Sequence, residues 1–430
     1  MSPLEQLRER VKRREFTLAV VGIGRVGLPL ALAFANAGVR TFGVDVNPEY
    51  VAKLARKEVP FREAGMEEYI GSSNFTPTVD EKALKESDIV VLTIGTPLTE
   101  QMKPDYAQLR AVMEKLVRLD LHGKLIITRS TTGPETMLNF TKPTLEKASG
   151  LKAGVDFGLA VCPERILEGK AFEELAGLPE IVGGVDALSS EIAASFFRVL
   201  NPEKRILFVS PTAAELAKLF TNVYRYVNFA LANEFGLIAE EYGEDAHAVI
   251  EALNDGYKRG GVPRPGPAGG PCLSKDGYYL TSNMAFPDFI LMAWRLNEEA
   301  VPRHMVNAVK KRLKARGKTM HEARVAVLGA AFKAGSDDVR YSPAVRIAEL
   351  LKAEGAEVRV HDPYVQGTLE LAQAADGADA VVLAVNHPEF AGVAAKLPRG
   401  SVLVDCWGFI EPAEAKAAGL EYVRFGSGKA

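Results

Sequence analysis

The stretch Phe16-Thr17-Leu18-Ala19-Val20-Val21 followed by Gly22-Ile23-Gly24-Arg25-Val26-Gly27 constrains the fold of this chain more than any other. A run of strand-prone apolar residues ends in a G-x-G-x-x-G turn. An apolar helical pattern then runs from Leu28 to Ala37 and closes on Gly38 as a C-terminal cap. A second strand pattern, Arg40 to Val44, delivers Asp45 about twenty residues after the motif. Asn47 with Pro48 then opens another helix. Strand, glycine turn, helix, strand and acid is the order a dinucleotide-binding half requires. Gly22 makes the turn, Gly24 lets a pyrophosphate reach the backbone, and Gly27 lets the helix pack closely with its N-terminus toward the phosphates. A carboxylate at Asp45 accepts hydrogen bonds from the adenosine ribose and repels a 2′-phosphate, so the expected cofactor is NAD rather than NADP.

At 430 residues the chain is too long for a single core. A net charge of −3 argues against nucleic acid and anionic membranes as partners. Three cysteines, Cys162, Cys272 and Cys406, are too few and too scattered for a disulfide framework, and with six His they show no metal-ligand spacing. No metal is expected. The start, Leu4 to Lys12, is charged and helix-prone rather than signal-like, and no apolar run reaches a membrane span, so a cytoplasmic protein is expected.

Strands and helices go on alternating. Asp88 to Ile94 ends in Gly95-Thr96-Pro97, Lys124 to Thr128 in Arg129-Ser130-Thr131-Thr132, and Gly158 to Val161 in Cys162-Pro163-Glu164-Arg165. Polar residues thus collect at three successive strand ends, where open α/β sheets bind ligands. Arg205 to Val209 reads as a strand and Ser210-Pro211 open a long helix to about Tyr242. On it Glu215, Lys218, Asn222 and Arg225 share one face at i, i+3, i+7 and i+10, while the other faces are mostly apolar. Such a stripe is either solvated or aimed at a partner subunit or a site. From Arg324 the doubly wound pattern restarts, with strands at Arg324 to Leu328, Glu357 to His361, Ala380 to Ala384 and Ser401 to Asp405, and a helix at Pro343 to Ala353. Lacking a G-x-G-x-x-G, this second half is expected to take a different phosphate-bearing ligand. The fold expected is α/β: two Rossmann-like doubly wound domains, 1–205 and 319–430, joined by the long central helix and a helical middle domain, 206–318.

Between them lies Pro265-Gly266-Pro267-Ala268-Gly269-Gly270-Pro271-Cys272-Leu273-Ser274-Lys275-Asp276. That density of Gly and Pro marks a shaped loop that lets backbone approach a ligand. Lys275 adds positive charge that favours a thiolate at Cys272. An incidental cysteine in a surface loop is the plain alternative.

Together these segments, in this order, resemble the UDP-glucose/GDP-mannose dehydrogenase family over nearly the whole chain. The resemblance covers Gly22 to Gly27, Gly95-Thr96-Pro97, Ser130-Thr131-Thr132, Cys162-Pro163-Glu164-Arg165, Glu215 to Asn222, Gly269-Gly270-Pro271-Cys272 with Asp276, and Phe332-Lys333 through Pro343. It implies oxidation of the C6 alcohol of a nucleotide sugar to a carboxylate, with two NAD used in turn. Cys272 is then the covalent catalyst, through a thiohemiacetal and a thioester. Lys218 and Asn222 stabilise the oxyanion, and Lys218 is also a candidate base for the first oxidation. Asp276 and Thr131 hold the hydrolytic water and Glu164 assists proton removal. The resemblance puts Gly22, Ile23, Gly24, Arg25, Val26, Gly27, Asp45, Thr96, Pro97, Thr131, Glu168, Lys275 and Arg340 on the cofactor. It puts Glu164, Arg165, Ile166, Leu167, Lys218, Asn222, Arg259, Gly269 and Lys333 on the UDP-sugar. The arginine of Lys258-Arg259-Gly260 comes from a neighbouring subunit in such enzymes, so a homodimer is implied.

Cys162-Pro163-Glu164-Arg165 stands where UDP-glucose enzymes typically show Asn-Pro-Glu-Phe, and Pro265-Gly266-Pro267 stands where they show a phenylalanine. With Thr96-Pro97-Leu98-Thr99 and Lys103-Pro104-Asp105, these resemble the branch acting on UDP-N-acetylhexosamines such as UDP-N-acetylmannosamine or UDP-N-acetylglucosamine. Ser274-Lys275-Asp276 is closer to the UDP-glucose loop, so UDP-glucose stays open as the alternative. A two-electron hydroxyacid dehydrogenase would need neither Cys272 nor a third domain, and a non-catalytic NAD-binding protein would have no use for Cys272, Lys218, Asn222 and Asp276 together.

Overall fold

The computed structural model describes residues 1–281 and 284–428. The chain divides into two compact units, one of Met1–Thr221 with the stretch from Tyr278, the other of Asn222–Gly277 with the chain from Met284 onward.

The first unit carries eight strands: β1 Thr17–Val21, β2 Arg40–Val44, β3 Phe75–Thr78, β4 Ile89–Leu92, β5 Leu125–Thr128, β6 Gly158–Val161, β7 Glu180–Gly184 and β8 Ile206–Phe208. They form one sheet in the order β3-β2-β1-β4-β5-β6-β7-β8. Pairing is parallel from β3 to β6, β7 runs antiparallel to β6, and β8 is parallel to β7. Every residue of β4, β5 and β6 is buried, as expected of a parallel sheet covered on both faces. The apolar helix Gly27–Asn36 packs on it, and Phe34 stacks on Phe196 with ring centroids 4.1 Å apart. Asn47 caps the helix Pro48–Ala55 through Glu49 N and Tyr50 N, the cap its sequence signals. The first helix, Pro3–Lys12, opens on a capping box of Ser2 and Glu5, and Arg10 grips Asp88 with two bonds of 2.9 and 2.7 Å. The backbone of Asp88 stays bonded to both neighbouring strands, its N–H donating to the Thr17 carbonyl at 2.9 Å and its carbonyl accepting from Leu125 N at 3.0 Å.

The long helix Pro211–Glu241 reverses the simple expectation for an amphipathic helix. Glu215, Lys218 and Asn222 are buried, whereas Phe220, Tyr224, Leu231 and Ile238 are exposed along with Arg225. Two of the three buried side chains hold hydrogen-bond partners in their own units, Glu215 on Thr132 and Asn222 on Asp276, so burial costs them less.

The second unit holds β9 Arg324–Leu328, β10 Glu357–His361, β11 Ala380–Leu383, β12 Val402–Asp405 and β13 Glu421–Arg424, all parallel in the order β10-β9-β11-β12-β13. One face of this sheet is covered by the helices Val301–Ala315 and Pro343–Ala353, the other by Phe390, Val393, Leu397 and Ile410. Ser342 caps Pro343–Ala353 through Ala344 N and Val345 N. Both units are thus doubly wound α/β, with helices between their sheets in sequence. No described helix is long and apolar enough to cross a membrane.

Candidate active site

In the first unit the glycine turn has the shape a dinucleotide needs. Gly22 sits at φ +88°, and a Cβ on Gly27 would lie 2.2 Å from the Gly22 carbonyl oxygen, so only glycine lets the helix start this close to the strand. A Cβ on Gly24 would meet nothing within 4 Å, which leaves the backbone there open to a pyrophosphate. Ile23 is buried and its carbonyl accepts from Tyr50 Oη at 2.8 Å, fixing the turn against the helix that Asn47 caps. Asp45 is half-buried at the end of β2, where its Oδ1 accepts from Asn47 N at 3.1 Å. These residues fit NAD. Val26 leads into the helix. Arg25 pairs with Glu168 at 2.5 Å and lies over the Phe61 ring at 5.0 Å, so two predicted cofactor residues 143 positions apart meet.

The next strand ends are tied together. Thr96 Oγ1 donates to the Thr131 carbonyl at 2.7 Å and Ser130 Oγ to the Ile94 carbonyl at 2.8 Å, joining the ends of β4 and β5. Tyr279 Oη donates to the Thr96 carbonyl at 2.6 Å, while Pro97 is exposed beside it. Arg129 joins the ends of β5 and β6. Its Nε and Nη2 donate to Glu164 Oε2, the first at 3.0 Å, and its Nη1 donates to Glu180 Oε1 at 2.9 Å. Glu164 Oε1 accepts from Arg165 N at 2.7 Å and Ile166 N at 2.9 Å. All four acceptor positions of Glu164 are therefore filled. Burial pushes its carboxyl up, but the charge and hydrogen bonds of Arg129 outweigh that and hold it below the usual carboxylate range. Glu180 goes the other way. Burial raises it to about 7 against the opposing pull of Arg129, with the nearby Glu164 charge adding to the rise. Arg165 reaches back to the Pro179 carbonyl, Ile166 packs on the core, and Leu167 N donates to Glu174 Oε2 at 2.5 Å. Lys218 is 9% exposed and, among the described residues, makes no hydrogen bond or ion pair.

The second unit holds the cysteine. Cys272 is exposed and immediately precedes the helix Leu273–Thr281, whose N-terminal dipole favours negative charge on the thiol. Asp276 N donates to the Cys272 carbonyl at 3.0 Å, so the two side chains lie one turn apart. Asp276 is fully buried. Its Oδ2 accepts from Asn222 Nδ2 at 2.6 Å and its Oδ1 from Lys275 Nζ at 3.0 Å. The structure thus brings Asn222, Lys275 and Asp276 into one cluster beside Cys272. The loop before Cys272 is threaded tightly. Gly270 has φ +102° and donates its N–H to the Tyr341 carbonyl at 2.9 Å, and a Cβ on it would stand 2.5 Å from the Phe332 ring. A Cβ on Gly269 would be 2.6 Å from the same Tyr341 carbonyl oxygen. The segment Phe332–Pro343 therefore backs the cysteine loop. In it Arg340 pairs with Asp338 at 2.6 Å, and Lys333 Nζ lies 6.0 Å from the Phe332 ring centre. Arg259 is exposed with its guanidinium 4.9 Å over the Tyr257 ring.

Several residues went unmarked in the sequence. Glu63 accepts from Gly169 N and Ala171 N, both at 2.8 Å, and so clamps the turn after Glu168. Glu298 accepts from Ser274 Oγ and from Tyr226 Oη, and burial raises its carboxyl above the usual range. Neither stands in a motif or at a strand end, so neither carries a sequence signal. Among the described residues no group of three or more His, Cys, Asp and Glu is placed to hold a metal.

The NAD-binding, central and UDP-binding domains of the UDP-glucose/GDP-mannose dehydrogenase family match residues 16–201, 212–301 and 326–412. The chain is 36% identical over 400 residues to a UDP-N-acetyl-D-mannosamine dehydrogenase of Pyrococcus horikoshii, covering 90% of this chain and 94% of that one. It is 30% identical over 397 residues to a UDP-N-acetyl-D-glucosamine 6-dehydrogenase of Pseudomonas aeruginosa, covering 89% and 93%. The solved structure of a UDP-D-ManNAc dehydrogenase from Pyrococcus horikoshii superposes with a TM-score of 0.89 at 33% identity, over 96% of this chain and 100% of that one. An open dinucleotide turn ending in Asp45, a cysteine at a helix start and matches to all three domains agree: the chain belongs to the UDP-glucose/GDP-mannose dehydrogenase family, the NAD-dependent nucleotide-sugar dehydrogenases.

Proposed function

We propose that this enzyme oxidises C6 of a UDP-N-acetylhexosamine, with UDP-N-acetyl-D-mannosamine as the first candidate, from alcohol to carboxylate through a covalent bond to Cys272. NAD supplies the hydride acceptor for each of the two oxidations. The observation that carries this reading is the cluster beside Cys272, with Asp276 one turn along and held by both Asn222 and Lys275. Lys218, buried and unengaged, takes the hydroxyl proton of the substrate in the first oxidation. The Cys272 thiolate then adds to the C6 aldehyde, and Lys218 with the second N–H of Asn222 receives the oxyanion of the thiohemiacetal. Thr131 and Asp276 place the water that cleaves the thioester. Glu164 enters as a fixed carboxylate. To accept a proton it must give up one of its four donors, and Glu180 offers Arg129 a second carboxylate when it does. Arg25 and Glu168 frame the cofactor side with Thr96, Pro97 and Arg340. Lys333 and Arg259 meet the UDP phosphates, and Arg165, Ile166, Leu167 and Gly269 line the sugar. The N-acetyl preference draws support from Arg165 in place of phenylalanine and from the sugars named for the relatives at 36% and 30% identity.

The three-part division 1–205, 206–318 and 319–430 belongs to this proposal, as does a homodimer in which Arg259 is donated across the interface. Tyr224, Leu231 and Ile238 support the dimer, for they are seven residues apart and exposed on one stripe of the long helix. Cys272→Ser tests the chemistry. It should keep NAD and UDP-sugar binding while turnover falls more than tenfold, a loss above about 1.4 kcal/mol of barrier stabilisation. Retention of more than about a tenth of the rate removes the covalent role. A panel of UDP-N-acetylmannosamine, UDP-N-acetylglucosamine and UDP-glucose scored by NADH release decides the sugar.

A further inference from the structure

Two neighbouring residues of the second unit, Asn297 and Glu298, hold the cysteine loop by both of its ends. They lie in Leu296–Ala300, a π-helical turn between the α-helices Asp288–Arg295 and Val301–Ala315, which follow one another without a break. The wider turn has a cause in the sequence. Pro302 stands four residues after Glu298, has no N–H for its carbonyl, and would press its ring on that carbonyl in an α-helix. Single π turns inside α-helices are frequent at functional sites.

From Asn297 the bonds run to the start of the loop. Its side chain is fully buried, its Nδ2 donates to the Tyr226 carbonyl at 3.1 Å, and its Oδ1 accepts from Asn233 Nδ2 at 2.9 Å. The Oδ1 of Asn233, also fully buried, accepts from Gly266 N at 2.8 Å. From Glu298 the bonds run to the end of the loop. Its Oε1 accepts from Ser274 Oγ, two residues after Cys272, and from Tyr226 Oη at 2.5 Å. Ser274 and Tyr226 are each 4% exposed. Tyr226 follows Asn222 by four residues on the long helix, so the same contacts reach the turn whose Asn222 meets Asp276 at 2.6 Å. A satisfied buried polar network specifies one arrangement where apolar packing tolerates several. Here the arrangement it specifies is that of the nucleophile.

We propose that Asn297 and Glu298 are positioning residues for Cys272. By tying Gly266 and Ser274 to the long helix they fix the loop between them, and with it the start of the helix Leu273–Thr281 whose dipole favours the thiolate. Glu298 is the stronger member, because one of its oxygens holds both the cysteine helix and the helix of Asn222. This rests on the reading of Cys272 as the nucleophile.

The test is Glu298→Met in the full chain, with kcat, KM for the UDP-sugar, melting temperature and the pH midpoint of iodoacetamide alkylation measured together. Cys162 and Cys406 are buried, so alkylation of the folded protein reads Cys272. The variant should lose between about ten- and a hundredfold in kcat, as a misplacement of ~1 Å does, with KM within about twofold. The alkylation midpoint should rise by about half a unit or more, because the thiol no longer sits on the helix N-terminus. Glu298→Gln, whose amide oxygen still accepts both hydroxyls, should stay within about threefold of wild-type kcat. A merely structural network would lower the melting temperature of Glu298→Met and leave the alkylation midpoint in place, and that result overturns the proposal. So does wild-type kcat in Glu298→Met, or Glu298→Gln as slow as Glu298→Met. Should Glu298→Met not fold, Ser274→Ala decides, since it removes the hydroxyl on the cysteine helix. It must raise the midpoint with a smaller loss of kcat, and an unmoved midpoint there removes the clamp. Cys272→Ser run in parallel separates the two readings. If it keeps turnover, the covalent assignment fails; if it is dead while Glu298→Met is normal, only the clamp fails.

Discussion

The two doubly wound sheets place an acid at the same topological position, after the second strand, and use it in opposite ways. The carboxylate of Asp45 after β2 accepts, among the described residues, a single hydrogen bond, from Asn47 N. Asp362 after β10 is saturated. Its Oδ2 accepts from Ala330 N at 2.6 Å, Ala331 N at 3.0 Å and His387 Nε2 at 3.1 Å, and its Oδ1 from Tyr364 N at 2.8 Å and Val365 N at 3.2 Å. Because Gly335 N donates to His387 Nδ1, the imidazole carries its proton on Nε2 and donates to Asp362. Burial pushes the Asp362 carboxyl up, but His387 and the backbone N–H groups overcome this and hold it at about 2. The backbone N–H groups of Ala330 and Ala331, which could have faced a phosphate, are turned onto the protein's own carboxylate. One sheet leaves its acid largely unengaged, as the proposed ribose contact requires, and the other uses it to tie its first loop. Strand order alone does not separate the two sheets; the engagement of this one side chain does.

The largest effect that would sharpen this contrast is on cofactor choice. Asp45→Ala should narrow the preference for NAD over NADP on the order of 10²-fold, since a like-charge contact with the 2′-phosphate costs several kcal/mol. The check is kcat/KM with each cofactor. Equal use of NADP by wild type would break the ribose assignment. Next, Asp362→Asn should cost about 2 kcal/mol at pH 7, the value of a carboxyl held from 3.8 to about 2, while NAD affinity stays unchanged. Denaturant unfolding with parallel NAD titration measures both.

Acid should then separate the two sheets. Asp362 is depressed, so its contribution is full above about pH 4 and is lost as pH falls through about 2. Glu180 and Glu215 are raised to about 7, so their contribution is full below about pH 4 and is lost as pH rises through about 7. Calorimetry should show the first unit losing a few degrees as pH rises from 5 to 8, and the second weakened below about pH 4 as Asp362 takes up its proton. A common shift in both would erase the distinction. The smallest expected effect is on the stability of Asp45→Ala, within about ±0.5 kcal/mol, because this carboxylate holds little of its own unit together.

What the sequence made legible was local. Gly22 to Gly27, Asp45 and the Asn47 cap are each written within a few residues of the structure they make. Pro265 to Asp276 read as one shaped loop, whereas the helix already begins at Leu273 and sets Asp276 one turn from Cys272. Partnerships across the chain were not legible. Asn222 meets Asp276 across 54 residues, Arg129 meets Glu180 across 51, and Tyr279 reaches Thr96 across 183. β7 escaped notice because Gly183 and Gly184 end it, and glycine weakens any strand signal. Glu164 could be read as an acid at a strand end, but not as one whose four acceptor positions Arg129 and two backbone N–H groups already fill. On the long helix the pattern showed one polar face and several apolar ones. Only packing decides that Lys218 goes inward while Tyr224, 71% exposed, goes outward.

The central claim is that one alcohol loses four electrons at Cys272, and counting NADH per sugar tests it most directly. With limiting UDP-N-acetyl-D-mannosamine and excess NAD, the account predicts two NADH for each sugar consumed and a product carboxylate at C6. One NADH per sugar, with a free aldehyde or ketone as product, or none at all, would contradict it.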